Sequence, residues 1–363
     1  MGHVRPFVET DIPEVAGLHG KVYRTGSRGA RNGHDPYREY FTRVFLEDPW
    51  GDPALSSIVY EEDGHVVGFL GVAVRRMSMN GQRFRAAVAS QWMVDPSTAA
   101  AAAVAIQLAK TFLDGPQDLS ITDEADDVAR KIWEGLGGMT AMLHSIYWTR
   151  PLRPAQLALS FLRNRASLTP LAAMADAPSR LVDALATRLR HSHLFQTRPE
   201  LVVDDLRWDT FLERLPEFTS ASSLRVDYDA PICQWLLDRA RERKPDGRLY
   251  TAVIRNDADA LLGWYLYHHG RSGIAEVLQI TAKPSSIHQL LDHLFYEAWQ
   301  RGATAVTGRL EPRFIQAFSD KYCLLHRRGP WLLVNARRPE LLRSFQNGDA
   351  LFTRFDGEWC LGF

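Results

Sequence analysis

Apolar residues recur along this chain with two periods. Ile12, Val15, Leu18 and Val22 lie three to four apart behind Thr10-Asp11, which predicts a capped helix ending near Arg24. Tyr37, Tyr40, Phe41 and Val44 predict a second helix over Tyr37 to Phe45. Apolar strands are then predicted at Ser57 to Tyr60, His65 to Arg75 and Phe84 to Val94. The turns between them, Glu61-Glu62-Asp63-Gly64 and Asn80-Gly81, carry the residues that accept positive φ, so the three strands read as antiparallel hairpins. Past Val94-Asp95-Pro96 a helix begins within two residues of the proline and runs through an alanine tract to Leu113. A strand at Asp118 to Thr122, a helix at Ala125 to Leu136 ended by Gly137-Gly138, and a closing strand at Met139 to Trp148 follow.

From Arg150 the pattern changes, with Pro151, Pro154, Pro170 and Pro178 punctuating leucine- and alanine-rich helical pieces. From Leu201 the earlier order returns. Helices at Arg207 to Leu215 and Pro231 to Arg241 precede strands at Tyr250 to Ile254, Leu261 to Tyr267 and Ile274 to Ile280. Lys283-Pro284-Ser285-Ser286 then leads into a helix at Ile287 to Gln300, which places a proline and a helix start where the first half has Pro96. The expected fold class is therefore mixed α/β, with mainly antiparallel central sheets flanked by helices, in two tandem domains. The expected boundaries are 1–149, a helical connector at 150–200, a second domain at 201–336 and a tail at 337–363.

Composition changes this picture little. A length of 363 residues suits two domains. Forty-three basic residues balance forty-three acidic ones, so no overall basic field draws the chain to nucleic acid or an anionic membrane. Arg163, Arg165, Arg180, Arg188 and Arg190 read as solvated helix faces, since aromatic residues are sparse among them. No stretch of eighteen apolar residues predicts membrane insertion. Three scattered cysteines, Cys233, Cys323 and Cys360, fit a reducing cytoplasm, the expected location. The shortage of lysine, six residues, beside abundant alanine reads as a GC-rich bacterial genome. No metal is expected: His268-His269 point to opposite strand faces, and His288 and His293 miss the helical i, i+4 spacing.

The candidate chemistry lies at Gln91 to Leu113. A strand, a short turn and a helix start with small side chains make an anion site by geometry, because unpaired N–H groups and the helix dipole point out of it. At these residues the chain resembles the GNAT acyltransferase superfamily, over residues 3–148 and again over 201–335. That family ends a strand in V-x-P and continues with R/Q-x-x-G-x-G/A at a helix start, where backbone amides hold the pyrophosphate of acyl-CoA. Val94-Asp95-Pro96 keeps the first part; Ala99 stands for the arginine, and Ala100, Ala102 and about Val104 for the glycines. The family's helix N-x-x-A-x-x-x-Y-x-x-x-G-F is matched by Asp126, Ala129, Trp133, Gly137 and Gly138, with Trp133 in the place of an acid-donating tyrosine.

The resemblance implies acetyl-CoA or another acyl-CoA as donor, or an acyl carrier protein, bound by Gln91, Trp92, Met93, Val94, Thr98, Ala99, Ala100, Ala101, Ala102, Asp126 and Trp133. It implies Glu276, in the second copy, as the base that deprotonates an amine, and places Trp133, in the first copy, at the general-acid position beside the pantetheine. An oxyanion would be held by a backbone N–H near Met93 or Val94. Arg28, Arg31 and His34, in the glycine- and arginine-rich stretch 25–35, are candidates to bind a small-molecule acceptor. A homodimer is compatible with all of this. Two other readings stay open: a tandem GNAT-like scaffold without activity, and an aminoacyl transferase of the Fem type. The closing DGEWCLGF reads either as a docked terminal strand or as carboxylates, Asp356 and Glu358, brought to a cleft.

Overall fold

In this computed structural model the described residues are 2–23, 36–163, 175–186, 192–220, 222–242 and 247–363. In chain order the strands are β1 (His3–Pro6), β2 (Ile58–Glu62), β3 (His65–Met79), β4 (Gln82–Val94), β5 (Leu119–Ala125), β6 (Met139–Thr140), β7 (Tyr147–Pro151), β8 (Val202–Asp204), β9 (Leu224–Val226), β10 (Gly247–Arg255), β11 (Leu261–Gly270), β12 (Ile274–Ala282), β13 (Ala305–Arg309), β14 (Leu324–His326), β15 (Trp331–Ala336) and β16 (Ala350–Leu351). The helices are α1 (Ile12–Tyr23), α2 (Pro36–Phe41), α3 (Ala101–Leu113), α4 (Asp127–Gly135), α5 (Pro154–Arg163), α6 (Asp176–Ala186), α7 (Trp208–Thr219), α8 (Ala230–Glu242), α9 (Ile287–Gln300), α10 (Ile315–Asp320), α11 (Pro339–Asn347) and α12 (Glu358–Leu361).

The chain groups into two compact units that interleave in sequence. The first comprises Met1–Met142, Ser222–Leu236 and Pro330–Phe363; the second, Leu143–Ala221 and Leu237–Gly329.

The sheet of the first unit runs β1-β2-β3-β4-β5-β15-β6, with β9 added beside β3 and β16 beside β9. Its pairs along that path are antiparallel except β4 with β5, which is parallel. The hairpin turns lie where the sequence puts them: Asp63, Gly64, Asn80 and Gly81 all have positive φ, the geometry that twists with the strands it joins. The middle of β3 is buried without alternation because both sheet faces are covered. On one face Val104, Leu108 and Phe112 of α3 and Trp133 of α4 pack on Leu70, Val72, Ala87 and Ala89. On the other, Phe69 meets Phe7, Phe41 and Phe45 edge-on. The second helix expected over Tyr37 to Phe45 is α for only its first part and continues as a π turn at Thr42–Leu46.

The second unit repeats the order as β8-β10-β11-β12-β13-β7-β14, again with one parallel pair, β12 with β13. Leu290, Leu291, Leu294 and Phe295 of α9 fill its core against Trp148, Tyr265 and Phe318. The strand expected from Met139 to Trp148 is in fact two. Met139–Thr140 pairs with Leu333 and Val334 of β15, whereas Tyr147–Pro151 lies between β13 and β14. Each sheet thus takes its penultimate strand from the far part of the chain, β15 in one and β7 in the other. The stretch 337–363 is likewise folded, as α11, β16 and α12 in the first unit.

Candidate functional site

The parallel pair of the first sheet is short. β4 meets β5 only at Ala86–Leu119, Ala87–Ser120 and Val88–Ile121. Beyond Val88 the strands part, yet each stays on its outer neighbour: β4 follows β3 to Val94, and β5 follows β15 to Ala125. The cause lies in β4, where register with β3 shifts between Phe69 and Gly71, so that Gln91 and Trp92 are the extra residues of a bulge. Gln91 holds φ +51 there, a left-handed backbone that a non-glycine residue adopts only when its surroundings impose it. Gly71 makes the approach possible, since a Cβ there would meet the Phe45 ring at 2.3 Å and the Ser90 carbonyl at 2.9 Å. Ala89 to Val94 spans roughly 20 Å of strand with no paired strand on its open side among the described residues.

At the mouth of this opening sits the start of α3. Asp95 accepts hydrogen bonds from the N–H and hydroxyl of Ser97 and from Lys21 Nζ at 2.7 Å, and the Lys21 bond foremost holds its carboxyl down to about 2. The Thr98 amide is taken by the Asp95 carbonyl, that of Ala101 by Thr98, and that of Val104 by Ala100. The amides of Ala99, Ala100, Ala102 and Ala103 have no hydrogen-bond partner among the described residues, and those four residues, with nothing beyond Cβ, are exposed. They are four donors at the positive end of a thirteen-residue helix with no acid in its first turn.

The other arm of the opening is occupied by a carboxyl group. Glu358, at the start of α12, accepts through Oε1 from Thr122 Oγ1 at 2.5 Å, Asp123 N at 2.9 Å and Glu124 N at 3.0 Å. Its own amide donates to Asp123 Oδ1 at 2.7 Å. Burial first, and then the adjacent Asp123 carboxylate, push the Glu358 carboxyl well above the ordinary range. Tyr23, at the end of α1, is pushed up to about 12 by burial and by the charges of Glu358 and Asp126. Residues of α12 pack on both β4 and β5.

Several solved structures share this fold. The chain superposes on a probable N-acyltransferase from Enterococcus faecalis V583 with TM-score 0.59 at 10% identity, covering 95% of this chain and 74% of that one. A GCN5-related N-acetyltransferase from Anabaena variabilis gives TM-score 0.59 at 12% identity, over 93% and 74% of the two chains. Saccharomyces cerevisiae N-myristoyltransferase with bound myristoyl-CoA and inhibitors gives TM-score 0.52 at 9% identity, over 92% and 79%. The chain has the GNAT fold. No protein-family model and no curated protein sequence matches it.

Within the GNAT frame the residues singled out in the sequence fall into three groups. Gln91, Trp92, Val94, Thr98 and Ala99 to Ala102 line the parted strand or the helix start, and Met93, on the same strand, is buried at 1% exposure. Gln91 Oε1 and Trp92 Nε1 are buried without a hydrogen-bond partner. Asp126 and Trp133 are occupied structurally. Asp126 caps α4 by accepting the amides of Val128 and Ala129. Trp133 is wholly buried in the core, and its indole N–H donates to the Val334 carbonyl at 3.2 Å. It cannot stand in for the GNAT tyrosine, because its one proton donor is taken and faces the interior. Arg28, Arg31 and His34 lie outside the described residues. Among the described residues no group of His, Cys, Asp and Glu is placed to hold a metal ion, and no helix is long and apolar enough to cross a membrane.

Glu276 belongs to the second sheet, opposite Thr307 of β13. β12 and β13 pair from Ile274–Ala305 to Val277–Gly308 and then part, with a shift in the β11–β12 register just beyond, as in the first sheet. Glu276 therefore sits in the closed half of the pair, before the bulge, rather than in the opening. The second opening is tied across by α7: Glu217 approaches Lys283 at the end of β12, and the Phe218 carbonyl accepts from Arg313 at 2.9 Å, just past β13. Arg313 is also ion-paired with Glu311. At the start of α9, Ser286 Oγ accepts from Lys283 N and donates to the Leu262 carbonyl at 2.6 Å, while His288 in the first turn meets Asp320.

Asp123, Tyr23 and the hold of Glu358 on β5 escaped the sequence reading. Only the carboxylates of DGEWCLGF hinted at the last, and they arrive as a short helix rather than a docked strand.

Proposed function

We propose that this protein transfers an acyl group from a phosphopantetheine thioester, acyl-CoA or an acyl carrier protein, to an amine. The observation that carries this reading is the parting of β4 from β5 after Val88 beside a helix start with four unpaired amides. An extended amide-bearing arm laid along Ala89 to Val94 supplies the partners that strand lacks, as an added strand does on a sheet edge. Gln91 Oε1 accepts from one amide of the arm and Trp92 Nε1 donates to another carbonyl, which explains two buried polar atoms left without partners. The amides of Ala99, Ala100, Ala102 and Ala103 bind the pyrophosphate. Losing the family's arginine removes a bidentate charge but not these donors. The myristoyl-CoA bound to the fold neighbour from yeast supports an acyl-CoA donor, and the N-acetyltransferase neighbour supports an amine acceptor.

In the reaction the amine nitrogen attacks the thioester carbonyl carbon. The C–N bond forms, a backbone N–H near Met93 or Val94 steadies the oxyanion, the C–S bond breaks, and the proton that the nitrogen loses balances the one that the departing thiolate takes up.

The test is thermal unfolding with acetyl-CoA, a long-chain acyl-CoA and an acyl-loaded carrier protein. A ligand at a hundredfold over its Kd adds about 2.7 kcal/mol and raises the midpoint by several degrees. No rise with any of the three overturns the proposal.

A further inference from the structure

Acyl transfer of this kind needs a proton delivered to the departing thiolate, and the position that the GNAT family gives to a tyrosine is here a tryptophan whose N–H is bound to the Val334 carbonyl. The opening nevertheless contains a group that can carry the proton. Asp123 is fully buried on β5, two residues past the last residue paired with β4, and Glu358 is fastened beside it by three hydrogen bonds to a single oxygen. Glu358, held beside the Asp123 carboxylate through its own amide, ionises only at a cost set first by burial and then by that neighbouring charge, and so keeps its proton. All three donors that fix Glu358 go to Oε1. Oε2 has no hydrogen-bond partner among the described residues, and Glu358 as a residue is half-buried, so its second oxygen is not committed to the fold.

We propose that the Asp123–Glu358 pair is the general acid of the site, with Glu358 Oε2 giving its proton to the thiolate sulfur. This rests on the acyl-transfer reading. The O–H bond of Glu358 breaks and an S–H bond forms as the C–S bond opens. The pair, now fully ionised, takes up the proton that the amine nitrogen loses on becoming an amide, and returns to its starting state. No other reactant is required. The charged and titratable groups around the pair are few. Tyr23 of α1 feels Glu358 and, less strongly, Asp126 ahead of α4 through space, and Glu124 on β5 is paired with Arg354. β4 brings no titratable side chain between Arg85 and Asp95.

Glu358→Gln and Asp123→Asn, assayed with the full chain, test this. With an alkyl thioester donor such as acetyl-CoA, Glu358→Gln should lower kcat by about 10²- to 10⁴-fold with KM for the donor nearly unchanged. With S-phenyl thioacetate, whose thiolate leaves without needing a proton, the variant and wild type should turn over within a few-fold of each other. A merely structural role would depress both donors alike, and that result overturns the proposal. Asp123→Asn removes the like charge, so the alkaline limb of the pH–rate profile should move to lower pH; a limb that stays in place also overturns it. The two ideas fail separately. Wild type that neither binds nor uses any thioester defeats the acyl-transfer reading, whereas an active wild type with an equally active Glu358→Gln defeats this assignment alone.

Discussion

The two sheets are built on one plan and use it differently. In each, a bulge lies just past the last pair of a parallel pair of strands, where they part, and a proline-led helix starts at the mouth. In the second unit the groups at the mouth are engaged with one another: Ser286 with Leu262, His288 with Asp320, and α7 with both arms through Lys283 and Arg313. In the first unit the corresponding helix starts in exposed alanine, with no side chain to engage its free amides, and Gln91 and Trp92 each leave a buried polar atom without a partner, as Thr281 Oγ1 does on β12. The lesson is that two halves built on one plan differ in the side chains at the mouth, engaged with one another in the second and small and exposed in the first. Even the ion pair that links the preceding helix to the end of the long strand recurs with its charges exchanged, Lys21 with Asp95 in one half and Glu217 with Lys283 in the other.

The largest effect should come from Ala102→Glu set against Ser285→Glu. A carboxylate among the open amides of α3 competes with a pyrophosphate for the same donors, so donor affinity should fall by about 10²-fold or more. It should leave the unfolding midpoint unchanged or slightly higher, because an acid suits a helix start. The same change at Ser285 should leave donor affinity as it was. Equal losses at the two positions, measured by calorimetric titration, would erase the contrast between the halves.

Acid stability comes next in size and is shared by both halves. Burial lowers His19 to about 4 and also lowers His293, which accepts or donates at Tyr265. The unfolded chain binds these protons first, so stability is full above about pH 6.5 and is lost as pH falls toward 4, on the order of 3 kcal/mol for His19 alone. Denaturant titrations at stepwise lower pH should show this loss, and His19→Phe should remove the share of the first unit only.

A smaller effect is expected at the bulge. Gln91→Gly relieves a positive φ and should add about 1 kcal/mol of stability, while removing Oε1 and weakening the donor a few-fold. A gain in both, read from unfolding and binding curves, would mean that Gln91 does not face the donor. The smallest effect is at Glu276. Lying in the closed half of the second pair, Glu276→Gln should change turnover by no more than about twofold; a loss of 10²-fold would move the chemistry to the second sheet.

Much of the fold is legible without coordinates, because it depends on local physics. Asn80-Gly81 and Asp63-Gly64 announce hairpins since few residues accept positive φ, and the alanine tract after Pro96 announces a helix start since nothing there competes with the backbone. The candidate site is legible only as far as one strand and one helix carry it. Trp133 follows its motif in spacing yet points into the core, because a nine-residue helix turns its apolar face inward whatever family pattern it follows.

The sequence by itself determined the two runs of strands and helices, their turns, and the strand–proline–helix stretch that suggested an anion site. Tertiary structure alone decided that β15 and β7 would each lie in the sheet to which the strand before it in sequence does not belong, that β4 would bulge at Gln91, and that Glu358 would reach the amides of residues more than two hundred positions earlier. The physical reason is common to all three. Each is fixed by contacts between distant segments, whose pairing depends on complementary edges and buried area in the assembled core and leaves no period or turn signal in the segments themselves.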